Sequence, residues 1–109
     1  MTLRPGPDHR GVLAAMADPT RGRLLEELAT GGAATATTLA ARLPVTRQAV
    51  VKHLRVLALA GLVTRSREGR EVRYEVRTGP LTSAADWLAG LAAEWDLRLA
   101  AIKRIAELG

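Results

Sequence analysis

The spacing of apolar residues changes at Gly61, and this change limits the folds that the chain can adopt. Before Gly61, apolar residues recur every three or four positions, which is typical of helices that pack through one face. After it, residues 62–67 and 71–76 form two strand-like runs on either side of a glycine-containing turn at 68–70, and the second run alternates apolar and polar side chains, which predicts a β-hairpin. From residue 81 the helical spacing returns. The predicted order is therefore four helices, a hairpin and a final helix.

Capping residues set the predicted helix boundaries. Asp18 and Pro19 begin the second helix, because Asp accepts from free backbone N–H groups and Pro has none to leave unpaired. Pro44 ends the third helix, since it disfavours helical geometry in the residue before it. The predicted helices span 8–17, 19–30, 36–43, 46–60 and 81–108, and residues 1–7 are expected to form a loose end.

Positive charge is concentrated in the middle third of the chain. Residues 42–77 carry nine basic and three acidic side chains, a net charge of +6, whereas the whole chain has a net charge of +5. Neutralisation of phosphates supplies most non-specific affinity for nucleic acids, so this distribution favours a polyanion-binding face. From charge alone, a solvated surface with chance clustering remains an open alternative.

The fourth predicted helix has one apolar side and no acidic residue. At 100° per residue, Val50, Leu54 and Leu57 fall together and define its buried side. The other side carries hydrogen-bond donors and a small apolar residue, which suit base edges in the major groove of double-stranded DNA. Ordinary surface helices mix Glu with Lys, so the absence of acid favours a recognition helix. The candidate base-reading residues are Arg47, Gln48, Val51, Lys52 and Arg55.

The predicted hairpin is also basic, with Arg70 beside Gly69 at its tip. Two helices separated by a short turn and followed by such a hairpin predict a winged helix-turn-helix, mainly α with a β-hairpin, in the order α-α-α-α-β-β-α. A plain solvated hairpin remains the alternative, because Glu68 and Glu71 offset part of the charge. The candidate contacts to the DNA backbone are Thr46, His53, Arg65, Arg67, Arg70 and Arg73.

Four segments resemble the ArsR family of bacterial transcriptional repressors. They are ADPTR at 17–21, TRQAVVKHLRVL at 46–57, AGLV at 60–63 and GREVRY at 69–74. The resemblance covers about residues 10–108. It implies a homodimer whose first and last helices form the interface, and whose recognition helices enter successive major grooves of a near-palindromic operator. The expected interface residues are Val12, Leu13, Met16, Leu88, Leu91, Trp95, Leu99 and Ile102.

The whole chain, 1–109, is expected to form a single domain. Its expected parts are dimerisation helices at 8–30 and 80–108, a helix-turn-helix at 35–60 and a β-wing at 62–77. The apolar stripe of the last helix is too long to be covered within a protomer of this size, which independently favours a dimer. Trp95 is expected in the dimer core, and Trp87 under the wing or against the second subunit. A small-molecule pocket lined by both is the open alternative.

The residues that bind metal in the founding members of the family are missing. Their Cys-x-Cys pair falls at Thr35 and Thr37, the last helix lacks His, and the chain contains no cysteine and only two histidines. Borderline first-row transition metals require imidazole or thiolate ligands. No metal site and no cofactor are therefore expected.

The sequence predicts a cytoplasmic, sequence-specific DNA-binding repressor. The alternative is a winged-helix adaptor whose basic face binds an acidic protein. An enzyme is not expected, because there is no plausible set of nucleophile, base and oxyanion donors and no glycine-rich phosphate loop. Neither a signal peptide nor a membrane partner is expected, since no apolar run reaches 18 residues. The sequence does not identify what controls release from DNA, and a small molecule, a protein effector and simple autoregulation are the open alternatives.

Overall fold

A computed structural model describes residues 8–108 as five helices and three strands. The predictions for residues 1–7 and Gly109 lie outside these described residues. The mainly helical fold with a hairpin is the predicted one. The helices are α1 (His9–Ala17), α2 (Pro19–Gly31), α3 (Ala36–Arg42), α4 (Arg47–Leu59) and α5 (Gly79–Leu108), and the strands are β1 (Ala34–Thr35), β2 (Val63–Glu68) and β3 (Glu71–Val76).

The first four helices begin at capping side chains, and the cap of α2 is the one that the sequence predicts. Each cap accepts a hydrogen bond from the backbone N–H three residues later, at 2.8 to 3.1 Å. Such a bond satisfies one of the free donors of the first turn and contributes about 1 kcal/mol. The capping residues are Asp8, Asp18, Thr35 and Thr46.

The hairpin belongs to a three-stranded antiparallel sheet with the order β1-β3-β2. Glu68 pairs with Glu71 across the tip, where Gly69 has a φ of +63°, a left-handed conformation that glycine adopts without strain. The sequence does not predict β1, in which Ala34 pairs with Tyr74. Two residues are too few to show a period of two, yet their pairing attaches the start of α3 to the wing.

The core lies between α2, α3, α4 and the sheet. Its fully buried side chains are Leu24, Leu39, Val50, Leu54, Leu57 and Leu62. Helix α1 packs on this core through Val12, which is only 5% exposed within the protomer. Its side chain is thus covered mainly by its own chain, and a place for Val12 in a dimer interface stays a prediction.

Helix α5 extends beyond this body. Ala84 is its one buried residue among those described, whereas Trp95 is 58% exposed. The helix has 30 residues, a length of about 45 Å. The radius of gyration is accordingly 19.1 Å, against about 13 Å for a compact chain of this size. Within residues 8–108, no helix is both long and apolar enough to cross a membrane.

Candidate nucleic-acid interface

Helix α4 presents the face that its sequence predicts. Val50, Leu54 and Leu57 are fully buried, and the five candidate base-reading residues are all exposed. Because the buried side is fixed by core packing, the basic side has one orientation relative to the rest of the protomer. Contact of these side chains with bases stays a prediction.

A groove of about 530 Å³ runs between the start of α3, the start of α4 and the wing. Arg47, Arg65 and Arg70 line it together with Glu71, the one acidic residue among the described lining residues. The Arg47 Nε donates to the Thr37 hydroxyl at 3.1 Å, so this side chain is held against α3. Three guanidinium groups around one concave surface provide charge and donors for phosphate oxygens.

The wing arginines differ in their partners. The Arg73 guanidinium lies 3.3 Å from Glu68 Oε2 and 3.2 Å from Glu71 Oε2, so it bridges the two carboxylates that flank the tip. The Arg67 Nε donates to the Gly69 carbonyl at 3.3 Å. Both side chains, expected as DNA contacts, thus have hydrogen-bond or ion-pair partners within the hairpin. By contrast, within residues 8–108 neither Arg65 nor Arg70 forms an ion pair.

His53 joins α4 to the junction of α1 and α2. Its Nδ1 lies 3.5 Å from the Arg21 Nη1 and 3.9 Å from the Asp18 Oδ2, and the Arg21 Nε donates to the Ala15 carbonyl at 2.6 Å. The pKa of Asp18 is lowered, first because its carboxylate accepts from the Arg21 backbone N–H, and further by the charges of His53 and Arg21. His53 therefore has partners within the protomer, although it was expected at the DNA backbone.

The sequence did not reveal this Asp18, Arg21 and His53 cluster. The sequence identifies Asp18 only as a helix cap, and Arg21 only as part of the segment ADPTR at 17–21. His53 is 32 residues from Arg21 in the chain, a separation over which local periodicity carries no information. The one usable signal was that His53 falls beside the buried side of α4, which places it close to a neighbouring helix.

The two tryptophans of α5 lie in different surroundings. Trp87 stacks on His9 of α1, with ring centroids 5.2 Å apart and planes at 21°. Helix α1 of the same protomer thus covers one face of the half-buried Trp87 ring, and its packing under the wing or against a second subunit stays a prediction. Trp95 is exposed, with the Arg98 Cζ 5.7 Å from its ring centroid. Among the described residues, no group of three or more His, Asp or Glu side chains could hold a metal ion.

Comparison with known proteins places this geometry in a family. A family model of helix-turn-helix domains matches residues 16–66. The solved structure of an ArsR-like transcriptional regulator from Rhodococcus sp. RHA1 is similar over 90% of this chain and 92% of its own, with 47% identity and a TM-score of 0.83.

Two curated relatives are named regulators. The transcriptional repressor SdpR of Bacillus subtilis is 30% identical over 77 residues, which are 71% of this chain and 84% of SdpR. The regulator CmtR of Mycobacterium tuberculosis is 44% identical over 70 residues, 64% of this chain, and the match spans 58% of the length of CmtR. The chain thus belongs to the ArsR family of helix-turn-helix transcriptional regulators.

Proposed function

We propose that this protein is a transcriptional repressor that binds a near-palindromic operator in double-stranded DNA as a homodimer. The observation that carries the proposal is the exposed face of α4, which has no acidic residue and lies beside a groove lined by three arginines. A surface of this kind can read base edges and hold the flanking phosphates.

Base reading is assigned to the middle of this face. Lys52 and Arg55 donate to guanine, Gln48 pairs with adenine, and Val51 contacts a thymine methyl group. All four are exposed on the same side of a helix whose other side is fully buried.

Backbone contact is assigned to Arg47, Arg65 and Arg70. The sequence favoured a base for Arg47, but the hydrogen bond to Thr37 holds its Nε against α3, beside the groove that Arg65 and Arg70 also line. This arrangement suits a phosphate that passes along the mouth of the groove. Each phosphate that the protein neutralises increases its affinity for DNA, and this contribution decreases as the salt concentration rises.

The homodimer interface is assigned to the exposed apolar stripe of α5, together with the partly exposed Leu13 and Met16 of α1. Contiguous apolar surface of this extent marks an interaction site, and a second copy supplies an identical stripe. Twofold symmetry would then place two copies of α4 about 34 Å apart, one turn of DNA. The stripe residues are Leu88, Leu91, Trp95, Leu99 and Ile102.

The same proposal covers location and regulation. The protein acts in the cytoplasm, catalyses no reaction and has no membrane partner, and a small molecule or a protein effector controls its release from DNA. A winged-helix adaptor is the second candidate, and the basic groove would then bind an acidic protein. We favour the repressor, because an exposed helix face without acidic residues, beside three arginines, suits the regularly spaced phosphates and bases of DNA.

Selection of bound sequences from random duplex DNA tests the proposal. We expect an enriched site with twofold symmetry, and a Gln48→Ala, Lys52→Ala double variant should bind it about 100-fold more weakly. The control is Arg104→Gln, which removes an exposed charge on the distal part of α5 and should leave the affinity unchanged. Weak, sequence-indifferent binding that the double variant does not change would instead support the adaptor.

A further inference from the structure

A cavity of about 380 Å³ opens where α1, the end of α4 and the start of α5 meet. Its volume lies in the range of sites that hold small organic molecules. It is separate from the basic groove, with which it shares no lining residue. The lining residues that carry the argument are His9, Val12, Ala60, Arg77, Pro80 and Ser83.

Three polar groups around this cavity lack partners within residues 8–108. The His9 Nδ1 is buried and has no hydrogen bond, although buried polar atoms in folded proteins are nearly always paired. The Arg77 guanidinium forms no ion pair there, and neither Arg77 nor Ser83 has a side-chain hydrogen bond. By contrast, the Asp8 carboxylate is engaged as the cap of α1, at 2.8 Å from the Gly11 N–H.

The remaining wall is apolar. Val12, Ala60 and Pro80 offer methyl and methylene groups, and the Arg77 backbone N–H donates to the Leu62 carbonyl at 2.8 Å, which fixes the base of its side chain. A cation, an unpaired imidazole nitrogen and a hydroxyl around an apolar wall match an organic molecule that carries one carboxylate. We propose that this cavity binds a small organic carboxylate and is the effector site of the regulator.

The regulatory half of this proposal rests on the proposed function. The cavity touches α1 and α5, the helices assigned to the dimer, and it touches Ala60, which caps the C-terminus of the recognition helix. A ligand in contact with all three elements favours one arrangement of α4 relative to the partner subunit. A ligand shifts an equilibrium only by its differential affinity for the two arrangements, so an occupied cavity should change the affinity for DNA.

Trp87 provides a reporter of occupancy, because it stacks on His9 at the edge of the cavity. The chain has only two tryptophans, so an ¹⁵N-labelled sample gives two indole N–H signals, and a Trp95→Phe variant assigns them. Benzoate is the probe, titrated into the full chain against sodium chloride at equal ionic strength. We expect the Trp87 signal to move saturably with a Kd of about 1–10 mM, as befits a ligand of so few atoms. The Trp95 signal should move less than the Trp87 signal, because Trp95 does not line the cavity.

Variants locate the binding. Arg77→Gln should raise the Kd about tenfold, since it removes a charge-assisted hydrogen bond, and Arg104→Gln should leave it unchanged. Benzamide, which has the same shape without the charge, should bind at least several-fold more weakly. A Trp87 signal that does not saturate below about 50 mM benzoate, or a Kd equal in the Arg77→Gln variant, would overturn the site.

A separate measurement tests the effector role. At saturating benzoate the affinity for the selected DNA should fall at least about threefold relative to equal chloride, and Arg77→Gln should be insensitive. A Trp87 shift with unchanged DNA affinity would overturn the effector role alone. If the protein bound no DNA specifically, the proposed function would fail, whereas the Trp87 titration would still decide whether the cavity binds a carboxylate.

Discussion

Helices α4 and α5 carry similar apolar stripes, but only the stripe of α4 is covered within the protomer. Val50, Leu54 and Leu57 of α4 are fully buried, whereas Trp95 and Ile102 of α5 are more than half exposed. Burial of an apolar side chain contributes about 1.5–3 kcal/mol. The stripe of α4 therefore stabilises the fold of a single chain, and the stripe of α5 can contribute comparable energy only when another molecule covers it.

The largest expected effect tests the buried stripe. Leu54→Ala should lower the free energy of unfolding by about 2–5 kcal/mol, because it removes buried methyl groups and leaves a cavity. Urea denaturation followed by circular dichroism measures this change. Leu59→Ala is the matched control, since it makes the same substitution on the same helix at an exposed position and should cost less than about 1 kcal/mol. Equal losses for the two variants would contradict the assignment of the core.

The next effect tests the exposed stripe. Trp95→Glu should weaken the dimer by about 2–4 kcal/mol, because a charge would enter the centre of the apolar interface. Sedimentation equilibrium measures the dimer dissociation constant, and circular dichroism should show that the helices remain. Leu97→Glu is the control, because Leu97 is also exposed but lies about 200° around the helix from Trp95. A dimer weakened equally by both variants would mean that this face of α5 is not the interface.

A smaller effect tests whether Arg47 of α4 contacts the DNA backbone or a base. Arg47→Ala should reduce DNA affinity about tenfold for every sequence, because its guanidinium is assigned to the DNA backbone. The slope of log affinity against log salt concentration should also become shallower, by about the contribution of one phosphate contact. Thr37→Val keeps the side-chain shape but removes the oxygen that holds Arg47, so it should reduce affinity by a smaller factor. Fluorescence anisotropy at several salt concentrations measures both. A changed base preference with an unchanged salt slope would assign Arg47 to a base instead.

The smallest effect concerns the junction that joins α4 to α1 and α2. The lowered pKa of Asp18 means that its carboxylate stabilises the fold above the ordinary carboxyl pKa, and that this contribution is lost as the pH falls through the lowered value. Asp18→Asn keeps a capping side chain but removes the charge. Wild type should therefore be more stable than Asp18→Asn at pH 7, and thermal melts should show this gap closing as the pH falls through the lowered pKa of Asp18. A gap that stays constant with pH would contradict this role.

Features governed by neighbours in the chain were predictable. The cap at Asp18 and the buried side of α4 depend on residues within one or two helical turns, which is the range over which periodicity and capping act. The position of Arg70 beside Gly69 was also predictable, since the glycine turn fixes the tip of the wing, and its contact with DNA stays a prediction.

Features that depend on distant contacts were not predictable. The pairing of β1 with β3 joins residues about 40 positions apart, and the partners of His53 and Arg73 follow from how elements pack rather than from local pattern. Val12 shows the same limit. Its helical stripe indicated burial correctly, but a stripe does not say whether the covering surface belongs to the same chain or to another.

The central claim is that α5 joins two protomers so that their two α4 helices read one DNA site together. Hydroxyl-radical footprinting of the protein on its selected DNA tests this most directly. The account predicts two protected half-sites, related by twofold symmetry and centred about 10 base pairs apart. A single protected segment without that symmetry would contradict it.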